Sequence, residues 1–206
     1  MKYHNFTKLV EKPYFTRQEL ALRGISLYDA QLTLWLKNGY IERVKRGFYV
    51  FADRKNELTP FEVAFFLYEP SYISLESALS IHGLIPDMVQ SVVSVATKPT
   101  RRFTNTYGHF IYHTVSPKFF FGSVPKNGKY GKYLMATPEK AIIDYAYFHR
   151  SRLQTQDDVR ELRLNGNLLH EMMDKEKLRK YLLPYESPSL ERTVALIFET
   201  CLPTKN

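Results

Sequence analysis

The chain has 206 residues, 44% of them apolar and 15% aromatic, which is ample for a packed core and excludes disorder of the whole chain. A single cysteine, Cys201, excludes an internal disulfide, and no apolar run reaches signal-peptide or bilayer-spanning length, so a cytoplasmic protein of a reducing compartment is expected. The net charge of +8 raises the prospect of a polyanionic partner, and the excess is concentrated: residues 1–54 hold ten Lys/Arg against five Asp/Glu, the remainder nineteen against sixteen.

Phe6, Leu9 and Val10 lie at helical spacing and predict a helix over 4–11, ended by Pro13. Thr16 opens a capping box with Glu19 and predicts a short second helix over 17–22, stopped by Gly24. Ser26 with Asp29 reads as a second cap for a helix from Leu27 to Asn38, with Gly39 as its stop. Helix, short Gly-containing turn and helix is the helix-turn-helix spacing. The strand-like run 40–45, the Arg46-Gly47 turn and the returning run 48–51 then predict a basic hairpin, the wing of a winged helix. On this reading Arg43, Lys45 and Arg46 meet phosphates of double-stranded DNA, and Asp29, Thr33 and Lys37 form the groove-facing stripe. Ser26, Tyr28 and Gln31 are further candidates at the start of that helix.

Asp53 to Glu57 (DRKNE) reads as a charged linker between a DNA-binding domain over 1–54 and a second domain over 57–206. In the second domain Thr59-Pro60 starts a buried helix, and Ser74 caps another over 75–82. Strand-like runs follow at 90–96, 110–115, 119–124 and 133–136, with Asn127-Gly128 as a hairpin signal. Thr137-Pro138 caps a further helix, and the tail predicts helices over 157–164, 170–182 and 189–200. The fold class expected is α+β: a winged helix-turn-helix followed by a small, mostly antiparallel sheet flanked by helices.

No phosphate loop, zinc spacing or nucleophile elbow is present, so neither an enzyme nor a cofactor or metal is expected. His109 and His113 share a strand face without a third ligand, and Cys201 has no patterned histidine beside it. Glu76, Glu139 and Asp144 are too scattered for the metal site of a nuclease. Arg101 and Arg102 form a tight basic pair, open to two readings, an additional phosphate contact or a solvated pair. Glu139, Lys140 and Asp144 read as charges projecting beside an apolar helix face, available for recognition of another protein.

The wording and order of several segments resemble the AbiEi antitoxins of type IV toxin–antitoxin systems. FTRQELALRGIS and LWLKNGYIERVKRGFYVF resemble that family's N-terminal winged helix. YISLESALSIHGL, VVSVATKPTRRF, GHFIYHTV and ATPEKAIIDYAYF resemble its C-terminal domain, so the likeness covers roughly residues 5–150. The resemblance implies an autorepressor that binds inverted repeats in its own promoter through Ser26 to Lys37, Arg43, Lys45 and Arg46. It also implies a C-terminal domain that counteracts a nucleotidyltransferase toxin without needing a stable complex. The alternative is a stand-alone transcription factor whose C-terminal domain senses an effector or dimerises.

Overall fold

The computed structural model describes residues 1–86 and 90–201. The N-terminal quarter contains α1 (Tyr3–Thr7), β1 (Tyr14–Thr16), α2 (Arg17–Leu22), α3 (Asp29–Lys37), β2 (Ile41–Lys45) and β3 (Phe48–Phe51). Helix α1 is shorter than its apolar spacing predicts, because residues 8–13 carry the chain to the sheet edge, where the Phe51 N–H donates to the Pro13 carbonyl at 2.9 Å. β1 then pairs with β3, Phe15 opposite Tyr49, in a strand too short to leave a pattern. Helix α2 starts as expected: the Thr16 hydroxyl accepts from the Glu19 N–H at 3.0 Å. Helix α3 starts at Asp29 rather than Leu27, because its box is closed by Gln31, whose side chain accepts from the Tyr28 N–H at 3.1 Å, and not by Ser26.

The three strands are ordered β1–β3–β2, and β3 is buried along its whole length. Its alternation separates two cores. Tyr49 and Phe51 join Phe6, Phe15, Leu20, Leu32 and Trp35 under the helices. Phe48 and Val50, with Tyr14 and Val44, belong instead to the larger core of the rest of the chain. Phe66 covers this second face, its ring 5.1 Å from that of Tyr14 and 5.8 Å from that of Phe48.

Asp53 to Glu57, expected as a linker, lies in a 3-10 helix, Ala52–Glu57, fixed on both sides. Arg54 donates to the carbonyls of Glu11 and Lys12 and pairs with Glu57, while Glu57 also meets Lys129 and the Tyr130 hydroxyl. These donors hold the Glu57 carboxyl at a pKa of about 2. Lys55 pairs with Glu42, and its carbonyl accepts from the Tyr107 hydroxyl.

Beyond it come α4 (Pro60–Leu67), β4 (Ser71–Ile73), α5 (Leu75–Ile81), β5 (Ser91–Ala96), β6 (Arg101–Asn105), β7 (Gly108–Thr114), β8 (Ser123–Asn127), β9 (Lys132–Ala136) and α6 (Pro138–His149). The tail holds α7 (Gln156–Arg160), α8 (Gly166–Met172), α9 (Lys175–Leu182) and α10 (Pro188–Thr200). The expected helix over 170–182 is two helices, divided where Asp174 caps α9 by accepting from the Lys177 N–H.

The large sheet runs β6–β7–β5–β4–β9–β8. It is mixed: β6/β7, β4/β5 and β8/β9 are antiparallel, β5/β7 and β4/β9 parallel. The strand expected over 119–124 begins only at Ser123, because Pro117–Phe119 forms a 3-10 turn and Gly122 takes a φ of +75°. Helix α4 lies between the small sheet and one face of the large one, where the Tyr112 hydroxyl donates to the Ala64 carbonyl at 2.5 Å. Tyr72, on the opposite face, reaches α6.

Phe48→Ala should therefore destabilise the whole chain by about 3–5 kcal/mol, while exposed Thr33→Ala should change stability by less than about 0.5 kcal/mol. Urea unfolding followed by tryptophan fluorescence and by circular dichroism checks both, and a loss under about 1 kcal/mol for Phe48→Ala would contradict the two-faced packing of β3.

Candidate nucleic-acid interface

Helix α3 buries Leu32 and Trp35 and leaves Asp29, Thr33 and Lys37 on its exposed side. Ser26 and Tyr28 are exposed just before α3, Tyr28 at 74%, and Leu34 within the helix is 54% exposed. Gln31 is not free for a partner as expected: besides closing the box, its amide donates to the Met1 carbonyl at 2.8 Å. Its role here is to fix the start of α3 and the chain terminus beside it.

The turn between β2 and β3 comes beside the same region. The Arg17 N–H donates to the Gly47 carbonyl at 2.9 Å, so the start of α2 adjoins the hairpin tip. Arg17 also pairs with Asp29 through its guanidinium. Arg17, Asp29, Arg43, Arg46, Gly47 and Tyr49 consequently line one recess, with three arginines and one aspartate in its lining. Arg43 and Arg46 are exposed, as a phosphate-contacting residue must be. Arg17 was invisible as a site residue, because in sequence it is only the first residue of a capped helix.

Lys45 departs from the expected role. The register shifts between Arg43 and Lys45, a bulge that directs Val44 and Lys45 to the seam with α4. The Lys45 ammonium donates to the carbonyls of Phe66 at 2.6 Å and Leu67 at 3.1 Å, at the C-terminal end of α4 where carbonyls lack helical partners. Burial pushes its pKa down.

The pair Arg101–Arg102 is divided by strand geometry. On edge strand β6, Arg101 shares a face with Phe103, its guanidinium 5.2 Å from that ring's centre, opposite Tyr112. Arg102 points to the other face, where its charge helps lower the pKa of His113, which burial already depresses.

Glu139, Lys140 and Asp144 do not project from α6: they are 2%, 0% and 0% exposed. The Lys140 ammonium donates to Asp144 Oδ1 at 2.5 Å and to the Tyr185 hydroxyl at 2.7 Å, within 4.8 Å of the Phe121 ring centre. Asp144 Oδ2 accepts from Tyr72 at 2.9 Å and Ser74 at 2.7 Å. Burial drives the Lys140 pKa down and that of Asp144 up, each opposed by the attraction between them. Glu139 pairs with Lys177 at 2.9 Å. Gly122 belongs to this arrangement, since a Cβ there would come within 3.0 Å of the Lys140 side chain.

The segments SLESALSIHGL and ATPEKAIIDY thus meet each other inside the molecule. Ser74 bonds Asp144, His82 bonds the Ala136 carbonyl at 2.9 Å, and Glu76 pairs with His149 at 3.2 Å. Ser77 bridges to β5 through the Val93 N–H and the Ser91 carbonyl. These segments specify how α5, β9 and α6 fit together.

Among the described residues no group of three His, Cys, Asp or Glu side chains is arranged to hold a metal. His109 is engaged with Thr104, and the His113 ring lies 4.9 Å from that of Phe148. Cys201 is half-buried and burial pushes its thiol pKa up, which disfavours the thiolate. No described helix is long and apolar enough to cross a membrane.

Residues 10–52 match the family described as transcriptional regulator, AbiEi antitoxin. The match spans β1 to β3 and so contains the basic recess and the whole of α3. No curated protein matches the chain.

The buried ion pair generates a stability prediction. Lys140→Met should cost about 3–5 kcal/mol, because it strands the Asp144 carboxylate, and Lys140→Met with Asp144→Leu should recover part of that loss. Chemical denaturation of the three proteins measures it. A single variant as stable as the parent would place the pair in solvent.

Proposed function

We propose that the chain is a winged helix-turn-helix transcriptional regulator that binds double-stranded DNA, with α2 and α3 as the helix-turn-helix and β2–β3 as the wing. The observation that carries this reading is the coincidence of two features in one segment. Residues 10–52 match an antitoxin-regulator family, and the same segment gathers Arg17, Arg43 and Arg46 beside the exposed side of α3. In this reading α3 enters the major groove and presents Tyr28, Thr33 and Lys37 to base edges, with Ser26 at its approach. Arg43 and Arg46 take phosphates, joined by Arg17. Arg101 and Arg102 lie on opposite faces of edge strand β6, outside the recess at the wing, and this reading gives neither of them a DNA contact.

The description of the matched family as an antitoxin supports antitoxin activity, and we assign the DNA-binding role to residues 1–54 and the antitoxic role to residues 57–206. We assign autorepression at inverted repeats, and protection against a nucleotidyltransferase toxin, on the resemblance of residues 5–150 to the AbiEi antitoxins. The burial of Glu139, Lys140 and Asp144 removes them from the antitoxic surface, which must then be built from other residues of that region. Co-expression with a neighbouring nucleotidyltransferase, with growth as the readout, tests this part: Lys140→Met should protect only to the extent that it folds, and Arg46→Ala should protect as well as the parent. Loss of protection in folded Arg46→Ala, with toxin expressed from an independent promoter, would contradict the division of roles.

DNA binding has its own signature. Neutralising about four to six phosphates gives a log K against log salt slope of about −4 to −5. Arg43→Ala and Arg46→Ala should each weaken binding to all sequences and flatten the slope by about one unit. Lys45→Ala should lower stability and leave the slope nearly unchanged, because its ammonium serves α4. Fluorescence anisotropy on promoter and unrelated duplexes measures these effects, and a flat salt dependence of the parent would refute the interface.

A further inference from the structure

The seam between the two parts of the chain opens into a cleft of about 810 Å3, of whose lining the DNA-binding reading uses only Arg17 and Arg46. Its volume is within the usual range for a small-molecule site. One wall comes from the hairpin and the start of α2, with Arg17, Arg46 and Phe48; the other comes from the end of α4 and the residue after it, with Phe66 and Tyr68, and from β6 and the turn before it, with Lys98, Arg101 and Phe103. The lining contains five cations, Arg17, Lys45, Arg46, Lys98 and Arg101, against two carboxylates, Glu19 and Glu69. Glu19 is already paired with Lys12. Arg46, Lys98 and Arg101 are exposed and make no ion pair among the described residues. Lys98 and Arg101 lie instead over aromatic rings, 5.6 Å from the centre of Tyr68 and 5.2 Å from that of Phe103.

Unpaired cations beside part-exposed rings match a ligand that is anionic at one end and flat and aromatic at the other. We propose that this cleft binds a nucleoside polyphosphate, with the phosphates on Arg46, Lys98 and Arg101 and the base against Phe66, Tyr68 and Phe103. A simple inorganic anion would satisfy the cations but leave the rings unused. Occupancy has a consequence for the DNA site, and this part rests on the DNA-binding reading. Arg17, Arg46 and Gly47 line both the cleft and the recess beside α3, so nucleotide and DNA phosphates draw on the same Arg46 guanidinium. The ligand and DNA should therefore oppose each other's binding reciprocally.

The test is a titration of the full chain with ATP carrying a fluorescent ribose label, with adenosine and inorganic tripolyphosphate as competitors. Saturable binding is expected, with ATP competing at least tenfold better than either fragment. Lys98→Ala with Arg101→Ala should weaken labelled-ATP binding about tenfold or more, as the loss of charge-assisted bonds implies. Phe103→Leu, which keeps the packing and loses the ring, should weaken ATP more than tripolyphosphate. In DNA binding the Lys98/Arg101 variant should stay within about threefold of the parent, while Arg46→Ala weakens both ligands. Circular dichroism confirms that each variant is folded.

No saturable binding, or tripolyphosphate binding as well as ATP, overturns the proposal. It is also overturned if the Lys98/Arg101 variant loses DNA affinity as much as ATP affinity, for then the cleft is part of a DNA track. Labelled ATP that binds as predicted to a chain with no affinity for DNA upholds the cleft and rejects the DNA-binding reading instead.

Discussion

Because all four residues of β3 are buried, the small sheet cannot serve one side of the molecule alone. Tyr49 and Phe51 belong to the core under α3, whereas Phe48 and Val50 belong to the core that holds α4 and the large sheet. Burying a strand on both faces stabilises each core at once, since removing a large apolar side chain from water contributes about 1.5–3 kcal/mol. The position of the basic turn follows from this. Residues 46 and 47 connect two strands locked to α4, so the guanidinium groups at the tip are presented at a fixed place relative to β6.

The capping signals were the most legible part of the sequence. Thr16, Thr59 and Thr137 begin helices where their spacing to the next residues requires, each accepting a backbone N–H from three residues on. Such signals are local, so one sequence contains all that they need. Strand β6 was not legible, because Arg101, Arg102, Thr104 and Asn105 give an edge strand with little apolar character. Nor was β4, whose three residues are too few to establish alternation.

The charged residues show where local reading fails. Lys140 and Asp144 are four apart on a helix, the spacing of an ordinary solvated pair. What buries them are Tyr72, Ser74, Phe121 and Tyr185, up to 72 residues distant, and no helical pattern encodes those partners. Lys45 failed for a related reason: a bulge, undetectable from alternation, turned it from the hairpin's solvent side to the end of α4. Arg43 and Arg46, by contrast, are exposed where the hairpin pattern put them, and Arg17 joins them only through the tertiary approach of α2 to the turn.

Helix α4 has a consequence for how the molecule comes apart. Its last carbonyls are held by Lys45, 21 and 22 residues earlier, and its first turn is held by Glu62, which also accepts from the Tyr130 N–H, 68 residues later. The first turn is capped locally by Thr59, but Glu62 is also tied to the β8–β9 turn and the last carbonyls to β2, so α4 is held from both parts of the chain and does not melt alone while the rest persists. Heating should consequently yield a single cooperative transition, with calorimetric and van't Hoff enthalpies in agreement, rather than early release of the N-terminal quarter. Folding must wait on contacts far apart in sequence, which makes it slow relative to a helical bundle of the same length.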